Sequence, residues 1–232
     1  MQYNKAMKAL KKSTSNGEKN EEKSTDNGSK SHEDEGNDGS SLNAGVEASG
    51  EGKSSAHLEF AGKNIYLSAN GKIMVYINKD DVHIFELDLV IDEGKSHSSA
   101  SDMNDSWNTE VMTDQDGNRY QGIANIRGAT FNQKISGDID IVVNACTNCN
   151  TVPLAPGAKA NGPLGEATVS GSDMWLPTSR VLYRNDVAGH ELGHNLGLRN
   201  CSSCNSIMTN SSRYKDVKAT LQDIKTLYNG YR

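Results

Sequence analysis

Apolar side chains are almost missing from residues 11–55 and recur at short intervals from Leu58 onward. The polar stretch is lysine, glutamate, serine, asparagine and glycine. It cannot bury enough surface to offset its chain entropy, so residues 1–55 read as a disordered low-complexity linker or tail. Tyr3, Met7 and Leu10 give its start only a weak amphipathic spacing. Beyond it, NIYLSANGKIMVYIN holds two β-rich runs around Asn70-Gly71, a hairpin signal because both residues tolerate positive φ. DVHIFELDLVID reads as a longer strand. In SASDMNDSWNTEVM the period changes, and Met103, Trp107 and Val111 recur every four residues, which predicts a helix. DQDGN is a turn, and YQGIANIRGATF and GDIDIVVNA are two more strands. A glycine- and proline-rich loop then leads to EATVSGSDMWLP, an edge strand with a return. This order of elements indicates an α/β or α+β architecture.

The next helix carries the candidate chemistry. Asn185 and Asp186 can cap VAGHELGHNLG, which stops at Gly197. Ala188, Leu192 and Leu196 form one apolar stripe. His190 and His194 are also four apart but offset by two residues, about 200° around a 3.6-residue helix. The stripe can pack into the core while both imidazoles point into a cleft, as two helical zinc ligands must. Glu191 stands beside the first histidine, where its carboxylate can reach the metal's water without ligating the metal. It would take the water's proton and pass it to the leaving amine. HExxH also occurs by chance, but here Gly197 and Met208 extend it. A last apolar face, Val217, Leu221, Ile224 and Tyr228, predicts a closing helix.

Composition narrows the picture. The 232 residues suffice for one sizeable domain plus a tail, and a net charge of −6 argues against general nucleic-acid binding. No apolar run approaches the roughly 18 residues of a membrane span. The start, MQYNKAMKALKKSTSNGEKN, lacks the apolar core and cleavage site of a signal peptide. Compartment stays open: a cytosolic protein, export by a signal-less route, or a piece of a longer precursor. Four cysteines form two CxxC pairs, Cys146/Cys149 and Cys201/Cys204, with 51 residues between the pairs. They could hold a second, structural zinc or form disulfides, within or between the pairs. Either would clamp the loop before Met208.

HELGHNLGLRN followed by SIM resembles the metal-binding consensus and Met-turn of the metzincin clan of zinc metallopeptidases. LGEAT (Leu164 to Thr168) looks like the edge strand against which metzincins lay an extended substrate, which implies Gly165, Glu166 and Ala167 as substrate-binding. LQDIKTLYNG looks like the closing helix of matrixin-type domains. Cysteines between the third ligand and the Met-turn are similar to archaemetzincins, although a CxxC near the C-terminus is lacking. The resemblance covers about residues 82–232. It implies a twisted, mostly parallel sheet with an antiparallel edge strand, an active-site helix and a C-terminal helix. By that analogy His190 and His194 are ligands, Glu191 is the general base, and Met208 supports the site from below. The pattern breaks at Asn200, where metzincins carry histidine or occasionally aspartate. Asn200 itself, the Cys201 thiolate, or a distant group such as Asp216 or Tyr214 could be the third ligand.

The expectation is a monomeric zinc-dependent endopeptidase acting on protein or peptide substrates. Residues 56–81 would form a β-hairpin extension and residues 82–232 the catalytic domain. A toxin or effector part of a larger secreted protein would suit the linker. The competing readings are a catalytically weakened pseudoprotease that binds without cleaving, and a scaffold organised by a four-cysteine zinc.

Overall fold

The structure, a computed structural model, describes residues 44–45, 54–60, 62–94, 99–147, 149, 163–177, 185–201, 206–209 and 218–232. The expected linker falls almost wholly outside these residues, as do Tyr214 and Asp216.

The strands are β1 (Ala44–Gly45), β2 (Ser54–Phe60), β3 (Lys63–Ser68), β4 (Ile73–Ile77), β5 (Val82–Asp92), β6 (Met112–Thr113), β7 (Arg119–Gly128), β8 (Ile141–Ala145), β9 (Glu166–Ala167) and β10 (Asp173–Leu176). The helices are α1 (Ser99–Trp107), α2 (Phe131–Ser136), α3 (Asn185–Asn195) and α4 (Leu221–Tyr231). All the strands belong to one mixed sheet, ordered β1-β2-β3-β4-β5-β8-β10-β9, with β7 beside β5 and β6 beside β7. From β5 onward the main pairings are parallel: β5 with β7, β5 with β8, and β8 with β10. The short β9 is antiparallel to β10 at the sheet edge. Strands β1 to β4 continue the same sheet as an antiparallel meander ending on β5. The Asn70-Gly71 turn joins β3 to β4, with Gly71 at φ +65° and its N–H on the Ser68 carbonyl.

One face of the sheet holds the main core. Phe85, Leu87, Leu89 and Ile91 of β5 stand in register with Gly122, Ala124, Ile126 and Gly128 of β7, α1 and α4 pack on these strands, and α3 packs on α1, β9 and β10. Gly122 is a close approach, since a Cβ there would come 2.6 Å from the Trp107 carbonyl and 2.7 Å from Ile224 Cδ1. Met103 and Trp107 are 0% and 1% exposed, as the period of four requires. Removing a side chain such as Trp107 from this packing costs about 3–5 kcal/mol. A smaller cluster, Leu58, Leu67 and Met74, gathers on the meander.

Two local expectations change. α1 ends at Trp107, so Val111 lies beyond it and is exposed. Asn108 breaks the period by turning its amide onto β7, where it bonds both the N–H and the C=O of Ala124. The strand expected through Phe131 stops at Gly128, because Thr130 and Gln133 form a capping box that starts α2. Among the described residues no helix is long and apolar enough to cross a membrane.

Candidate metal centre

Two faces of α3 are committed before any ligand is considered. Ala188 and Leu192 are fully buried in the core. Gly189 and Gly193 let other elements touch the helix backbone. A Cβ on Gly189 would overlap the Ser106 side chain, and one on Gly193 would overlap Met208 Sδ. Trp107 Nε1 donates to the Gly189 carbonyl at 3.0 Å and fixes the approach of α1. The remaining face carries His190 and His194, whose ring centroids are 4.9 Å apart with planes at 85°.

The backbone that follows α3 orients both rings. Gly197 adopts φ +95°, and its N–H bonds the His194 carbonyl while the Leu198 N–H bonds the Gly193 carbonyl. This pair of bonds is the Schellman stop, which a side chain at Gly197 would strain. It folds Leu198 back so that its carbonyl faces His194 Nδ1 at 2.9 Å. His190 Nδ1 meets the Ile207 carbonyl at 2.8 Å. A carbonyl can only accept, so each Nδ1 carries the proton and each Nε2 keeps its lone pair. His190 is also held below its ordinary pKa, chiefly by burial, so the neutral ligand form is favoured.

Glu191 packs against the edge of the sheet. It is 4% exposed, and burial, with a lesser contribution from Glu166, pushes its pKa up to about 8. Its carboxyl lies against Gly165: a Cβ there would sit 2.8 Å from Glu191 Oε1 and 2.9 Å from Val187 Cγ1. Gly165 leads directly into β9, formed by Glu166 and Ala167, and among the described residues no strand pairs with the outer side of β9. Thus the expected edge strand is an edge strand and lies beside the expected base.

Among the described residues no three His, Cys, Asp or Glu side chains converge as a metal cluster. The third polar group at the histidines is an amide, because the exposed Asn200 side chain hydrogen-bonds the His190 ring.

The cysteines bear on two alternatives the sequence left open. Cys146 and Cys149 form a disulfide with each other, Cys201 is also disulfide-bonded, and Cys204 lies outside the described residues. A sulfur bonded to sulfur has no thiolate to give. The four-cysteine zinc is therefore not formed, and Cys201 in this state is not the third ligand. Cys201 instead clamps the loop through its backbone, its N–H donating to the Met208 carbonyl at 2.9 Å. Met208 is 2% exposed beneath Gly193.

Sequence reasoning missed Asp223 and Asn195. Asp223 is buried, accepts from Ser206 Oγ and the Ile207 N–H, and also takes the Thr220 N–H at 2.8 Å. The TLQD spacing at Thr220 signals a helix start, but nothing in it points to the Met208 loop. Asn195 ends α3 and donates to two carbonyls of the β9–β10 turn.

No family model matches the chain, and no curated protein does. One similar solved structure is archaemetzincin from Methanopyrus kandleri, at 18% identity and a TM-score of 0.34, covering 62% of this chain and 94% of that one. At this similarity no residue's role is carried over.

Proposed function

We propose that the chain is a zinc-dependent endopeptidase whose metzincin-like catalytic domain spans residues 82–232. The observation that carries the reading is the paired Nδ1 bonding of His190 and His194. Both rings are turned so that Nε2 is left for a metal, by carbonyls that only the Gly197 stop and the Met208 loop supply. Such outer partners fix tautomer and ring direction in metal sites. The donor set, two imidazoles and the Asn200 amide, fits zinc with an open position. Zinc held there supplies a Lewis acid that polarises a scissile carbonyl and acidifies water.

The chain's own residues supply the rest. The free edge of β9 offers backbone groups to an extended peptide, which would add as a strand. Gly165 lets that peptide lie close to Glu191, and Glu191 accepts a proton from water and returns it to the leaving amine. Removing this base by Glu191→Ala should leave zinc bound and lower kcat/KM on an unfolded protein substrate by ~10²–10⁴-fold. Normal cleavage by that variant would sink the mechanism.

A binding module without catalysis is the second reading, favoured by the neutral amide at Asn200 where a third imidazole would bind more strongly. One zinc per chain together with no cleavage of any denatured protein would favour it.

A further inference from the structure

We infer that Asn195 is a positioning residue that sets the height of the peptide-pairing strand relative to the metal donors; this rests on the peptidase reading above. β9 has only two residues and is paired on one side. So short a strand cannot hold its own place. Its return to β10 hangs instead from the last two residues of α3. Asn195 Nδ2 donates to the Thr168 carbonyl at 3.1 Å and to the Asp173 carbonyl at 3.0 Å, so one amide group grips both ends of the turn. The Ser170 N–H donates to the His194 carbonyl at 2.9 Å, and Ser170 takes φ +57° to do so. Within the turn the Gly171 N–H returns to the Thr168 carbonyl.

The clamp is specific for an amide. Asn195 is 8% exposed, and its Oδ1 is buried with no partner. A flipped amide, or a carboxylate, would set an oxygen against two carbonyl oxygens. The side chain therefore serves through its two N–H bonds, at the cost of an unpaired acceptor. Because Asn195 directly follows His194, the edge strand and the second candidate ligand share one rigid attachment. Gly165 enters β9 from the Glu191 side, so any slip of the turn changes how a paired peptide faces Glu191. A slipped edge pairs an extended peptide less well, so the loss is felt chiefly in binding.

The test uses the full chain carrying Asn195→Asp and, as the milder change, Asn195→Ser. Cleavage of an eight-residue peptide, long enough to pair with β9, should show KM raised ~10-fold with kcat changed far less. A blocked dipeptide too short to pair should be cleaved as by the wild type, and zinc content should be unchanged. Equal losses on both substrates, or a fall in melting temperature with both KM values unchanged, would overturn the proposal. Amide hydrogen exchange of the zinc-free protein gives a second readout that needs no catalysis. Exchange at residues 166–171 should quicken ~10-fold in Asn195→Asp while His190 to His194 stay protected; unchanged exchange there would overturn the proposal. A wild type that cleaves nothing would count against the peptidase reading, and the exchange result would still decide the role of Asn195.

Discussion

Asp223 and His190 are joined through Ile207. The Ile207 N–H donates to Asp223 Oδ2 at 3.3 Å, and the Ile207 carbonyl accepts from His190 Nδ1 at 2.8 Å. The first turn of α4 thereby sets the direction of an imidazole on α3. Asp223 also takes the Ser206 hydroxyl, and Ser206 Oγ in turn receives the Met208 N–H at 2.9 Å. Replacing Asp223 by Ala strands these donors in a buried place, at ~1–3 kcal/mol of stability. It should also weaken zinc binding ~10–100-fold, the usual effect of losing an outer partner. Chelator competition and urea unfolding measure the two effects separately. Wild-type zinc affinity in Asp223→Ala would show that the Met208 loop keeps its place without α4.

Glu191 gives the metal-free protein a distinct pH dependence. Its pKa rises from 4.5 to about 8, mainly through burial. Folding therefore favours the protonated acid. The stabilisation is fully present below the ordinary carboxylate value and is lost as pH climbs through about 8, at up to ~1.4 kcal/mol per pH unit. Chelator-treated protein should thus unfold at lower urea at pH 7.5 than at pH 5.5. Glu191→Gln should flatten that difference, because an amide does not titrate. A difference that persists undiminished in Glu191→Gln would assign the effect to another group.

Gly165→Ala isolates the contact between the edge strand and the base. The new methyl would lie 2.8 Å from Glu191 Oε1 and 2.9 Å from Val187 Cγ1, so either the carboxyl or β9 must move. Neither histidine is touched. Zinc stoichiometry should hold while kcat/KM falls ~100-fold, since a shift of ~1 Å in a catalytic group has about that effect. Full activity in Gly165→Ala would mean that the Glu191 carboxyl need not occupy this position.

What the sequence made legible was local. HELGH declares its helix through its period, and Gly197 declares the stop, because both signals lie within one turn of the residues they act on. The same holds for Asn70-Gly71 and for Met103 with Trp107. The partners that orient the site lie far along the chain: Ile207 is 17 residues from His190, and Asp173 is 22 from Asn195. No periodicity encodes such pairs. Val111 misled because Asn108 found better bonds on β7 than in another helical turn. The CxxC spacing suits zinc and disulfides equally, and the oxidation state that separates them depends on compartment rather than on pattern.

On the proposed reading, Asn200 sets how strongly the site holds metal. Its side chain is exposed and interacts with the His190 ring, and as a third ligand it would bring only a neutral oxygen. Structural zinc sites with four strong ligands reach about 10–16 kcal/mol, or ~3 kcal/mol per ligand. Replacing an amide oxygen by an imidazole should recover most of one such share, ~100-fold in affinity. Asn200→His should therefore bind zinc ~100-fold more tightly in a chelator competition. Asn200→Ala should bind it more weakly than the wild type. The two variants must move in opposite directions for Asn200 to be a ligand. If Asn200→Ala retains wild-type affinity, the third donor comes from elsewhere in the chain, and the bond to His190 serves only to seat the ring.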